Sequence, residues 1–178
     1  MIKLVSDTHF SHGQILVYEP SRQFENYEAM DEYMISRWNE VVSPEDTLYH
    51  LGDVYIGSSK RRDYVLPQLN GDKHLLIGNH DRITKTAWDK QGFTVIPGRY
   101  FMIDPDIPIV YSHYPIENAI EDGQRLLDMG YFNVHGHVHT NISHLDQSNH
   151  LCISVELTEM GPVDYEWVLA TYRDRTGK

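Results

Sequence analysis

Two imidazoles stand two residues apart in the run His135-Gly136-His137-Val138-His139. In extended chain, residues at that spacing point the same way, so the His137 and His139 rings can converge on one small volume. Gly136 lets the backbone come close. Neutral imidazole is the commonest protein ligand for transition ions. Alone the pair is weak, because 11 His in 178 residues place some together by chance. Its weight comes from four upstream segments that carry the same types of ligand. These are Asp7-Thr8-His9, Gly52-Asp53, Gly78-Asn79-His80-Asp81, and His113 before Tyr114-Pro115. Each taken singly is an ordinary polar turn, where Asp and Ser are common. Their recurrence in one short chain is much harder to reach by chance. Leaving His80 aside, Asp7, His9, Asp53, Asn79, His113, His137 and His139 are too many ligands for one tetrahedral ion. They suit two ions sharing a carboxylate, at the ~3.5–4 Å separation of two-metal sites. Mixed nitrogen and oxygen donors without thiolate fit Mn, Fe or Zn better than Ca or Cu(I).

These groups fall where strands end. Ile2-Lys3-Leu4-Val5 reads as a short buried strand running into Asp7 and His9. Residues 46–51 read as a second strand ending at Asp53, and 73–77 as a third ending at Asn79, His80 and Asp81. Residues 99–103 and 107–112 read as a hairpin across Asp104-Pro105-Asp106, its second arm delivering His113. Residues 131–134 lead into the histidine run, and 151–155 form a late strand. His12 stands in the loop after the first strand, either facing a substrate or merely exposed. The clearest helix covers 26–42, where Tyr27, Met30, Met34, Trp38 and Val41 recur at spacings of three and four. Asn26 is its N-cap and Ser43-Pro44 its stop; its apolar stripe is a core face without chemistry. Ser58 or Ser59 opens a helix to Leu69, bent at Pro67. Its Lys60-Arg61-Arg62 run is a solvated face or a phosphate-steering one. Residues 117–130 read as partly helical, and Asp164 as the cap of a last helix. Strand, polar cluster and helix in repetition is α/β organisation, in which sites gather beyond the carboxyl ends of strands. No repeat or linker divides the chain, so residues 1–178 are expected to form one domain.

Composition narrows the function. At 40% hydrophobic residues there is no apolar run near the ~18–20 residues that span a bilayer, and Met1–Ser6 turns polar too soon for a signal peptide. Cys152 is the single cysteine, which excludes an internal disulfide or a thiolate cage. Together these read as a cytoplasmic protein without a membrane partner. A formal charge of -11 argues against a broad nucleic-acid footprint, which needs a basic face, although bound cations would offset some of it locally. There is no Ser or Cys nucleophile motif and no Walker lysine loop.

The five ordered blocks resemble the calcineurin-like metallophosphoesterases, and Ser6-Asp7-Thr8-His9-Phe10-Ser11-His12 with Tyr49-His50-Leu51-Gly52-Asp53-Val54 is similar to a small bacterial and phage branch of them. The resemblance implies a two-sheet α/β/β/α sandwich. It implies that Asp7, His9 and His139 hold one metal, that Asn79, His113 and His137 hold the other, and that Asp53 bridges them. His80 would face the substrate, protonating the leaving oxygen or stabilising charge on phosphorus, with Asp81 orienting its ring. The implied activity is hydrolysis of a phosphoester by in-line attack of metal-bound hydroxide, with two divalent or transition ions, manganese first, then iron or zinc. Val54-Tyr55-Ile56-Gly57 stands where the family's protein phosphatases carry Asp-Arg-Gly, which disfavours a phosphoprotein substrate. A small phosphodiester or nucleotide derivative is the expected partner, and long duplex nucleic acid is not. The competing readings are a non-catalytic metal-binding or phospho-ligand-binding protein, and a single structural zinc.

Overall fold

The structure, a computed structural model, describes residues 1–178. In chain order its elements are β1 (Ile2–Val5), α1 (Ile15–Tyr18), α2 (Tyr27–Val41), β2 (Thr47–His50), α3 (Ser59–Val65), β3 (Asp72–Leu76), α4 (Lys85–Lys90), β4 (Phe93–Ile96), β5 (Tyr100–Phe101), β6 (Ile109–Ser112), α5 (Ile116–Ala119), α6 (Gly123–Asp128), β7 (Phe132–His135), β8 (His150–Cys152), β9 (Val163–Asp164) and α7 (Tyr165–Thr176). The strands form two sheets, ordered β4-β3-β2-β1-β9 and β5-β6-β7-β8. β1 to β4 run parallel, as do β6 to β8, while β9 and β5 are antiparallel edges. This is the α/β sandwich that the motifs imply.

Alternation along the strands creates the layers. Leu4 packs between the sheets with Ile109, Tyr111, Phe132, Val134 and Leu151. Its neighbour Val5 points the other way, toward Met30, Met34 and Trp38 of α2. On the far side, Val110 of β6 packs under Ile116, Ala119 and Leu127 of α5 and α6. α2 begins as expected: the Asn26 side chain accepts a hydrogen bond from Ala29 N at 2.8 Å.

Several expectations change in detail. Pro67 does not bend one helix; it sits in a separate 3₁₀ turn, Leu66–Gln68, because it has no N–H to continue α3. The hairpin is real but β5 spans only two residues, with Phe101 opposite Tyr111. Asp164 precedes α7 but makes no side-chain cap; its Oδ1 accepts instead from Lys3 Nζ at 2.6 Å, across the β1–β9 pair. The Lys60-Arg61-Arg62 run is largely engaged: Arg61 pairs with Asp31 at 3.0 Å and Arg62 with Asp63 at 2.8 Å. No helix is long and apolar enough to cross a membrane.

Candidate metal centre

Every candidate ligand follows the carboxyl end of a strand: Asp7 and His9 after β1, Asp53 after β2, Asn79 after β3, His113 after β6, His137 and His139 after β7. The β1–β2 ladder continues past the strands to set their loops in register. Asp7 N donates to Gly52 O at 3.0 Å, and His9 N donates to Asp53 O at 3.0 Å. A bridge between Ser6 and Ser154 joins the edge of this assembly to the chain beyond β8.

The histidine run is not an extended segment. β7 stops at His135, and His137 and His139 adopt left-handed backbone with φ of 69° and 50°. Asp7, His9 and Asp53 do the same, at 57°, 49° and 60°. Such a conformation costs an L-residue roughly 1–2 kcal/mol, so the surroundings must hold it. They do. Asp7 Oδ2 accepts from His137 N at 2.9 Å and from Ser154 Oγ at 2.8 Å. Asp53 Oδ1 accepts from His80 N at 2.8 Å. Gly136 allows the crossing, because a Cβ there would run into Ser6 Oγ and Asp7 Oδ2. His137 and His139 therefore do not converge on one point, as a strand would require, but serve two adjacent ones.

Two clusters result. Asp7, His9 and His139 offer ligand atoms within 4.8 Å of one another, as do Asp53, His113 and His137. Asn79 Oδ1 lies 2.8 Å from His113 Nε2 and so joins the second cluster. Asp53 Oδ2 is 3.5 Å from His9 Nε2 and 3.5 Å from His113 Nε2, between the clusters. The donors fit a pair of cations. Asp7 Oδ1 and both ring nitrogens of His9 are buried without a hydrogen-bond partner, which is costly unless something else satisfies them. Burial keeps His9 well below the usual histidine range and brings His137 down to about 4, so both rings are neutral and free to ligate. Burial pushes the Asp53 carboxyl up to about 7 despite the nearby His113; a cation beside it would restore its charge.

His80 flanks the centre half-buried, its ring 5.4 Å from that of His9. Asp81 does not orient that ring. Both of its oxygens are engaged by backbone: Oδ2 accepts from Asp53 N and Gly78 N at 2.8 Å, and Oδ1 from Val54 N at 2.9 Å. It fixes the loop carrying Asp53 instead. His12 does face the centre, sharing with His9, Tyr18, Glu19 and His80 the lining of a cavity of about 230 Å³. A second cavity of about 300 Å³, lined by Asn79, Arg99, His113 and Tyr114, opens on the other cluster. Two residues escaped the sequence entirely. Glu156 accepts from His139 Nδ1 at 2.8 Å, and Arg22 donates to Glu156 and to the carbonyls of Asp7 and Thr8. Neither sits in a motif.

Known proteins resemble this chain in sequence and in fold. An uncharacterized protein of Methanocaldococcus jannaschii is 32% identical over 179 residues, covering 94% of this chain and 89% of its own. The crystal structure of an Aquifex aeolicus protein of unknown function superposes with a TM-score of 0.73 at 25% identity, over 96% of this chain and 98% of that one. The Pseudomonas putida nuclease MPE shares the fold at a TM-score of 0.50 and 19% identity, over 78% of this chain and 61% of the nuclease. The sequence profile described as calcineurin-like phosphoesterase matches residues 1–176, and the chain belongs to that family.

Proposed function

We propose that this chain, one domain over residues 1–178, is a two-metal phosphoester hydrolase of the cytoplasm acting on a small phosphodiester or nucleotide derivative. The observation that carries the reading is the position of Asp53, whose Oδ2 stands 3.5 Å from one histidine of each cluster. A carboxylate so placed can serve two cations at once. Asp7, His9 and His139 would hold one ion, Asn79, His113 and His137 the other, with manganese first among the candidates. Ions held there would supply charge neutralisation for the ester and a water acidic enough to act as nucleophile near pH 7.

The chain's own groups do the remainder. His80 lines the cavity beside the centre, and it would give a proton or hydrogen bond to the leaving oxygen. Its backbone N–H holds Asp53 Oδ1, so Asp53 keeps one oxygen for position and the other for charge. Asp81 positions Asp53 through the backbone. The small-substrate reading rests on the modest cavities and on the charge of -11. It also rests on Arg61 and Arg62 being paired with carboxylates, which leaves no continuous basic track for a polymer. Arg99 is the one Lys or Arg in the cavity beside Asn79 and His113, enough for one anionic group. The test is turnover, with Mn²⁺ at moderate salt, of a chromogenic monoester, a chromogenic diester, cyclic nucleotides and duplex DNA. The diester or a nucleotide should be the best substrate. Rapid cutting of duplex DNA would overturn the small-substrate reading, and a strong monoester preference would overturn the diester.

A further inference from the structure

The two clusters are supported differently. In the first, His139 Nδ1 bonds at 2.8 Å to Glu156 Oε1, a carboxylate with no exposed surface. The same oxygen takes Arg22 Nε at 2.7 Å and Arg22 Nη2 at 2.6 Å, and the Arg22 side chain is equally buried. Arg22 also donates to Asp7 O at 2.6 Å, to Thr8 O at 2.8 Å and to Met30 Sδ at 3.6 Å. One buried ion pair thus ties together the two loops that carry Asp7, His9 and His139. In the second cluster His113 Nδ1 meets only the neutral carbonyl of Leu51, at 2.8 Å, and Asn79 is a neutral donor.

We propose that the buried Arg22–Glu156 pair makes the Asp7–His9–His139 cluster the tighter of the two ion sites, so that the centre loads in a fixed order. The inference rests on the two-metal reading above. Three effects point the same way. A carboxylate accepting from Nδ1–H fixes the tautomer of His139 with Nε2 free toward Asp7 and raises the basicity of that nitrogen. The Arg22 clamp holds the Asp7–His9 turn, left-handed at both ligands, in its ligating shape before an ion arrives, which removes an ordering cost from binding. The charge balance is also unequal. Asp7 and the shared Asp53 both face the first site, whereas Asp53 is the only carboxylate of the second. The positive charge of Arg22 is cancelled by Glu156 and does not repel the ion.

The experiment is Mn²⁺ titration of the metal-stripped protein followed by electron paramagnetic resonance and by isothermal titration calorimetry. The wild type should bind a first equivalent at least about tenfold more tightly than a second, as isolated ions, with spin-coupled pairs appearing only at the second equivalent. Glu156→Gln should weaken the first step by about 10–100-fold, the usual cost of a lost outer partner of a metal-binding histidine. His113→Ala should keep the tight equivalent, and His139→Ala should lose it. Circular dichroism checks each variant's fold; should Glu156→Gln fail to fold, Arg22→Lys, which keeps the charge and loses the fork, should weaken the first step in its place, and an unchanged first step in the folded variant would overturn the inference. Two equal sites in the wild type, or loss of the tight equivalent in His113→Ala, would overturn the inference while leaving the two-metal reading intact. No Mn²⁺ binding at all would overturn both.

Discussion

Asp53 divides its two oxygens between tasks, and that division makes it the most informative residue to change. Oδ1 holds the backbone N–H of His80 and Oδ2 lies between the clusters. Asp53→Asn keeps the volume and one acceptor but removes the charge. It should lower turnover by orders of magnitude with the fold retained by circular dichroism, and elemental analysis should find less metal. Near-normal turnover and metal content would contradict the shared-carboxylate assignment. His80→Ala should leave both ions in place and cost about 10²–10⁴-fold in rate. The loss should be larger for poor leaving groups, which need the proton more; an equal loss across leaving groups would mean that His80 positions substrate instead. At this scale the sequence was legible where a polar residue of metal-binding type follows a strand, as at Asp7, Asp53 and His113. It was not legible where a residue acts through the fold. Arg22 and Glu156 meet across 134 positions, and no spacing rule connects them. Asp81 lies beside His80 in sequence, but its oxygens turn to the backbone of the Asp53 loop.

The elements place these side chains by stopping early. β1, β2 and β7, of four residues each, run into left-handed turns, and the turns aim side chains that a longer strand would send to alternating faces. Gly136 is where two such turns cross. Gly136→Ala would force Cβ against Ser6 Oγ and Asp7 Oδ2. It should destabilise the protein by about 1–3 kcal/mol and displace Asp7, so that both the denaturation midpoint and the metal content fall. An unchanged midpoint and full metal content would show that the crossing has slack. The buried strands and α2 were legible because apolar periodicity runs through them; Met30, Met34 and Trp38 mark one face, and all three are buried. α4 and β4 carry no comparable signal, being a six-residue helix with one buried residue and a four-residue edge strand. The left-handed turns were also hidden, since Asp and His there look like any polar strand end.

Across the whole molecule, both sheets contribute candidate ligands to one centre, so an ion there would cross-link the layers as well as serve chemistry. Ions that bind the folded state alone stabilise it by about 2.7 kcal/mol at a hundredfold excess over Kd. For a chain of this size a chelator should therefore lower Tm by about 5–10 °C, reversibly on adding Mn²⁺. An unmoved Tm would argue against ions bridging the sheets. The excess of 26 acidic over 15 basic residues would then be partly relieved at the centre by the metals themselves, which a composition alone does not reveal. If the two clusters form a hydrolytic metal centre, turnover of a chromogenic phosphodiester by the metal-stripped protein should return as Mn²⁺ is restored. Without metal there should be no turnover, and the rate should follow the second bound equivalent. Turnover that survives stripping, or none with Mn²⁺, Fe²⁺ or Zn²⁺ fully bound, would rule out a hydrolytic metal centre here.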